Sequence, residues 1–343
     1  MQNSAVVASA IFPWHRETWQ RLWCRYVERC LPHALLFAGI AGVGKTAFAE
    51  KFAQALLCKN PGTEGLPCEV CSSCCLLLAH SHPDVFSVCS EPGHAIKVDQ
   101  IREMIDFVNK TALQGGYRVV LMHAVTNMNM YAANALLKTL EEPSPNVVII
   151  LISNQNNELP ATLRSRCLPI LFPVPAQDVA LSWLQQQVQP RPIEELRLLL
   201  GIAYGAPLRA IEFFSKEIFT LRADLFRALG DIVQQQGDPL KYAAQWQALE
   251  VLPILDLLMS FLSDLFKLHM QCGQEAVMNR DFMQLLLALG SCLPMHKVQV
   301  YVDYLQQVRR YVTGSSSLNK QLLLEDVFIR LANTSQSGCV GYP

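Results

Sequence analysis

Five short apolar runs mark the first half of the chain: Leu35–Gly39, Val85–Val88, Arg118–Met122, Val147–Ile152 and Leu168–Phe172. They are mostly continuous rather than alternating, the pattern of strands covered on both faces in a parallel sheet. Between them, Lys45–Cys58, Asp99–Asn109 and Tyr131–Glu142 carry helical patterning. That order predicts an α/β layer, a parallel sheet flanked by helices.

After Pro173 and Pro175 the strand pattern stops. Ala176–Val188, Ile193–Tyr204 and Leu208–Phe214 predict three short helices, a small lid. Longer helical segments follow, such as Pro253–Met270 and Val298–Val312. Ile254, Leu257, Leu258, Phe261, Leu262 and Leu265 keep the spacing of a buried helix face. The expected plan is an α/β domain over 1–172, a helical lid over 173–215 and an all-α domain over 216–343, with residues 337–343 as a frayed tail.

Composition narrows the function. With 343 residues and 51% hydrophobic content the chain can bury more than one core. Lys plus Arg is 28 against 29 acidic residues, a net charge of -1, which argues against a polycationic nucleic-acid binder. No apolar run reaches the roughly 18 residues of a membrane span, and the N-terminal apolar stretch has no basic residue before it. The expectation is a cytoplasmic protein with no membrane contact.

Gly39-Ile-Ala-Gly42-Val-Gly44-Lys45-Thr46 matches the Gly-x4-Gly-Lys-Thr phosphate loop between a predicted strand and helix. Such a loop turns backbone N–H groups and a helix N-terminus toward phosphate. Lys45 would reach the β- and γ-phosphates, and the Thr46 hydroxyl would hold Mg²⁺. Hydrolysis also needs a carboxylate at a neighbouring strand tip. Arg118–Met122 runs instead into His123-Ala124, neither of which suits Mg²⁺ or orients water. The expectation is nucleotide binding with little or no turnover.

Of 12 cysteines, Cys58, Cys68, Cys71, Cys74 and Cys75 crowd into one segment. Two consecutive Cys-x2-Cys steps and a distant fourth thiol fit a closed tetrahedral zinc site; an iron–sulfur cluster or a redox pair are the alternatives. The expected ligands are Cys58, Cys68, Cys71 and Cys74, with adjacent Cys75 the alternative fourth.

Two further segments are informative. Asn134-Ala-Leu-Leu-Lys-Thr-Leu-Glu-Glu-Pro143 is an amphipathic helix with a proline stop, and Ser165-Arg166-Cys167 follows a short helix near Pro160. A lone Arg there is a surface charge or local ion pair unless a neighbour's phosphate meets it.

Together these residues resemble the AAA+ clamp-loader subunits of bacterial DNA polymerase III. His82-Pro83-Asp84, Ile96–Arg102 and Asn319–Asp326 extend the resemblance from about His33 to Leu331. The blunted tip at His123-Ala124 separates the chain from the γ/τ ATPases, which carry Asp-Glu there. The resemblance implies a subunit of a pentamer with δ and γ/τ that loads the β sliding clamp onto primed DNA, its C-terminal helices forming a collar. It places Arg166 as an arginine finger acting in trans on a neighbouring γ/τ ATP, Arg209 as a lid residue sensing nucleotide and Asn154 near a sensor position. The family's non-hydrolysing member often has an eroded phosphate loop, whereas here the motif is intact, so ATP or ADP with Mg²⁺ as a structural ligand is the implied cofactor beside zinc. The alternatives are a self-sufficient ATPase, which His123-Ala124 opposes, and a zinc-bearing DNA-binding module, which the net charge opposes.

Overall fold

The computed structural model describes residues 11–90, 96–125, 128–154, 159–215, 218–314 and 319–335; the expected tail at 337–343 lies outside them. The chain divides into two compact units, Met1–Trp183 and Leu184–Pro343.

The first unit is built on a five-stranded, wholly parallel sheet of β1 (Ala34–Ala38), β2 (Val85–Val88), β3 (Arg118–Met122), β4 (Val147–Ser153) and β5 (Leu168–Leu171), in the order β2-β3-β4-β1-β5. All five predicted strands are present within a residue or two of their expected ends. β1, β3 and β4 are buried along their whole lengths, which is why their sequences are unbroken apolar runs. Helices α1 (Arg16–Val27), α2 (Lys45–Leu57), α3 (Ser72–Leu78), α4 (Val98–Val108), α5 (Met130–Glu141) and α6 (Ala161–Arg164) connect or flank the strands. Helix α5 starts where Asn129 Oδ1 accepts from the Ala132 N–H at 2.8 Å, and it buries Ala132, Ala133, Leu136 and Leu140. Helix α1 was not expected, because only Trp19 and Leu22 of its twelve residues are buried, too few to set an apolar rhythm.

At the lower end of the sheet the His82-Pro83-Asp84 stretch has a structural task. The fully buried Asp84 carboxylate accepts the Leu113 and Gln114 N–H groups at 2.7 and 2.8 Å and lies 3.7 Å from the buried Arg118 guanidinium. Arg118 Nη2 also donates to the Thr111 carbonyl at 2.7 Å. Asp84 thus anchors the loop entering β3.

Helix α7 (Gln177–Gln187) carries the chain from the first unit to the second, which contains α8 (Ile193–Ile202), α9 (Pro207–Ser215), α10 (Ile218–Val233), α11 (Pro239–Trp246), α12 (Val251–His269), α13 (Met283–Cys292), α14 (Met295–Gly314) and α15 (Lys320–Ser335). Ile254, Leu257, Leu258, Phe261, Leu262 and Leu265 of α12 are all buried, as their spacing predicted. Among the described residues no single helix is long and apolar enough to cross a membrane.

Replacing Asp84 by Ala leaves two backbone N–H groups without their acceptor and a buried guanidinium without its neighbouring carboxylate. The expected cost is about 3–5 kcal/mol, read as a lower urea midpoint for the first unit; an unchanged midpoint would show that the anchor is dispensable.

Candidate functional site

The phosphate loop follows from the register of β1 and β4. Ala38 pairs with Ser153, so the residues just beyond them, Gly39 and Asn154, leave the sheet side by side. Lys45, the first residue of α2, folds its side chain back into this notch. Its Nζ donates to the carbonyls of Gly39 and Ile40, each at 2.7 Å, and to Asn154 Oδ1 at 3.1 Å. An ammonium has three protons to donate, and all three are used. Lys45 is buried, and that burial brings its pKa down to about 8. Thr46, one residue on, is exposed.

Glycine is required twice here for steric reasons. A Cβ on Gly39 would stand 2.3 Å from the Phe172 carbonyl oxygen. Gly44 sits at φ +99°, and a Cβ there would come within 2.6 Å of the Phe12 ring. Gly42 also turns through positive φ, at 83°. Phe12 is one of several rings covering the loop: it stacks on Trp14 at 5.0 Å between centroids, and Trp183 meets both edge-on at 5.5 and 5.3 Å. Trp14 Nε1 donates to the Val43 carbonyl at 3.0 Å, tying the rings to the loop backbone.

His15 lies under this cover. It is 2% exposed, surrounded edge-on by Phe12, Trp14, Phe48 and Phe172, and neither ring nitrogen has a hydrogen-bond partner among the described residues. Burial, aided by the Lys45 charge, lowers its pKa to about 4. Sequence reading missed His15, since a lone His between aromatics has no motif.

The strand tips carry no carboxylate: the described strands end at Ala38, Val88, Met122, Ser153 and Leu171. After β3, the His123 N–H donates to the Val88 carbonyl at 2.9 Å and Ala124 turns away at φ +50°. Burial lowers the His123 pKa and so favours a neutral ring.

Arg166 stands between α6 and β5. Its Nη1 donates to the Thr162 carbonyl at 2.7 Å, and its Nη2 lies 2.5 Å from Glu141 Oε1 at the end of α5. The local ion pair named above as the plain alternative is therefore present. The side chain remains 34% exposed. Neighbouring Cys167 is buried, which pushes its thiol up to about 11, as expected of a cysteine that packs as a small apolar side chain.

Arg209 belongs to the second unit, at the start of α9. Its guanidinium pairs with the buried Asp256 carboxylate of α12 and lies 5.8 and 5.4 Å from the centroids of Tyr204 and Phe213. Arg309 of α14 reaches the same carboxylate at 2.9 Å. The patterning of α12 did not single out Asp256, which is buried with Ser260 and Asp264 at four-residue spacing along a largely apolar helix.

The thiols of Cys58, Cys68, Cys71 and Cys74 all lie within 4.8 Å of one another. Four sulfurs at about 2.3 Å from a tetrahedral zinc stand about 3.8 Å apart, so the donor set fits that ion. Helix α3 begins inside the cluster, with the Cys71 thiol as its cap accepting from the Cys74 N–H at 3.5 Å. Burial opposes a thiolate at Cys71, but the Cys74 and Lys59 N–H groups and the neighbouring thiols outweigh it and bring its pKa down to about 6. Cys75 is exposed and points its S–H at the Val70 carbonyl, 3.7 Å away, which leaves Cys74 as the fourth donor.

A parallel sheet with a glycine-lysine phosphate loop after its first strand, a cysteine knuckle after the next helix and an all-helical remainder defines a P-loop α/β protein of the AAA+ clamp-loader class. A family model described as DNA polymerase III, delta subunit, matches residues 14–176, and one described as its C-terminal part matches residues 216–333. DNA polymerase III subunit delta' of Pseudomonas aeruginosa is 34% identical over 331 residues, covering 96% of this chain and 99% of that protein. The Escherichia coli subunit of the same name is 30% identical over 330 residues, covering 96% and 97%. DNA polymerase III subunit tau of Salmonella typhimurium is 36% identical over 147 residues, 43% of this chain and 22% of that protein. The chain belongs to the DNA polymerase III subunit delta' family.

Two outcomes test the site. Purified protein should carry one zinc per chain by metal analysis; Cys71→Ser should lose it and Cys75→Ser should keep it. For His15, the folded state prefers the neutral ring, whereas the unfolded chain takes up a proton below about 6.5. Stability should therefore fall as pH drops from about 6.5 to about 4, by up to about 3 kcal/mol, and level off below. His15→Phe should remove that component, seen as a smaller acid loss in the thermal midpoint than wild type shows.

Proposed function

We propose that this chain serves in the DNA polymerase III clamp loader as a scaffold subunit. It lends Arg166 in trans to a nucleotide held by a neighbouring γ/τ subunit and itself hydrolyses ATP poorly or not at all. The observation that carries this reading is the contrast between its two cations. Lys45 is enclosed, with every ammonium proton used by its own loop and Asn154. Arg166 stands at the surface with a planar, permanently charged group of the kind that stabilises charge on a transferring phosphoryl group. His123 and Ala124 at the β3 tip support weak hydrolysis, since neither supplies an oxygen ligand for Mg²⁺.

The partners are those of the family's complex: δ and γ/τ, the β sliding clamp, and primed DNA reached through the assembly. A net charge of -1 favours DNA contact by the whole complex over contact by the lone chain. Gly39–Thr46 with Asn154 is the set that would hold ATP or ADP, the Thr46 hydroxyl being the Mg²⁺ ligand and Arg209 the lid contact. A nucleotide bound there would stabilise the fold by mass action rather than turn over. The Cys58, Cys68, Cys71 and Cys74 set would hold a structural zinc, with no open position for chemistry. Residues 173–215 are read as the lid and 216–343 as the collar. The intact phosphate loop favours a second reading, an ATPase in its own right.

DNA-stimulated ATP turnover by the reconstituted loader separates the two. Arg166→Ala should cut turnover about tenfold or more, while Lys45→Ala should change it little. Damage by Lys45→Ala, or turnover by the lone wild-type chain, would establish the second reading instead.

A further inference from the structure

Glu141 closes α5 within Leu140-Glu141-Glu142-Pro143 and meets Arg166 across the gap to the α6–β5 turn. Its Oε1 lies 2.5 Å from Arg166 Nη2, while Nη1 donates to the Thr162 carbonyl at 2.7 Å and makes a longer contact of 3.4 Å to Ser165 Oγ. Two separate elements therefore hold one guanidinium, each at a different nitrogen.

The grip contributes little to holding the fold together. Arg166 and Glu141 are 34% and 48% exposed, and surface pairs of this kind contribute only about 0–1 kcal/mol. Helix α5 is secured by its own buried stripe of Ala132, Leu136 and Leu140, and the α6 turn by Leu163 and Cys167. What the contacts restrict is orientation. A free Arg side chain carries about 2 kcal/mol of rotamer entropy, and a displacement of about 1 Å in an oriented reaction costs about a hundredfold in rate. A guanidinium has five N–H donors, so these contacts leave donors for a phosphate.

We propose that Glu141 is a positioning residue: with the Thr162 carbonyl it presents Arg166 in the orientation that meets the phosphates of a nucleoside triphosphate on the adjacent subunit. This rests on the reading of Arg166 given above. It also connects two sequence segments that lie far apart, because the last turn of the Asn134–Pro143 helix supplies the carboxylate that orients the Ser-Arg-Cys arginine.

The test is steady-state ATP turnover by the reconstituted loader with clamp and primed DNA, normalised to assembled complex. It uses Glu141→Ala, Glu141→Gln, Arg166→Ala and the Glu141→Ala/Arg166→Ala double variant. Glu141→Ala should lower kcat about tenfold with KM for ATP unchanged, as for an interaction felt in the transition state. Glu141→Gln keeps an acceptor oxygen at the same reach and should retain most of the rate. In the Arg166→Ala background, Glu141→Ala should cost nothing further, whereas a merely structural role would cost the same factor in both backgrounds. Equal costs in the two backgrounds, a harmless Glu141→Ala beside a damaging Arg166→Ala, or a Glu141→Gln as damaging as Glu141→Ala would each overturn the positioning role alone. An Arg166→Ala that turns over ATP normally would overturn the arginine reading and this proposal with it.

Discussion

A buried ammonium has to be satisfied, and in this protein that requirement shapes the centre of the first unit. Lys45 enters a notch between the ends of β1 and β4, and its three protons take two loop carbonyls and the Asn154 amide oxygen. The loop must curl tightly enough to bring Gly39 and Ile40 within reach, which forces Gly39 against the Phe172 carbonyl and Gly44 against Phe12. The start of α2, the exit of β4 and the aromatic cover are all fixed relative to one charge. Desolvation is the cost, visible in a lysine brought down to about 8 and in the unprotonated His15 beside it.

The cations of the chain are engaged to different degrees. A loop whose lysine is fully engaged with its own backbone is self-sufficient as a structure, so the motif can persist intact without chemistry at the strand tip. Arg209 follows a similar rule in the second unit, where Asp256 engages it together with Arg309. Arg166 differs in kind: one carbonyl and one carboxylate hold it at two of its nitrogens, and the side chain still stands partly exposed.

Much of this was legible in the chain because it depends on backbone rules. Strands covered on both faces must be continuous apolar runs, and phosphate-loop glycines and paired thiols have spacings that few other structures need. What escaped were contacts between distant side chains. Glu141 and Arg166, Asp84 and Arg118, and Asp256 with Arg209 and Arg309 each look like ordinary surface charge until the fold brings them together. Helix α1 escaped because its buried side is two large residues, Trp19 and Leu22, rather than a repeating stripe. The choice between Cys74 and Cys75 turned on which way a helical turn points its thiols, which spacing alone does not specify.

The sheet order also dictates when parts of the chain can settle. Ala34 pairs with Ile149 and Leu35 with Leu168, so β1 emerges early in synthesis yet has no strand beside it until β4 and β5 follow. The cysteine knuckle needs nothing beyond Cys74 and closes a short loop at small entropic cost. A growing chain can therefore complete its knuckle while the phosphate loop still lacks both neighbouring strands. Over that interval the apolar β1 segment is the part most in need of protection from wrong partners.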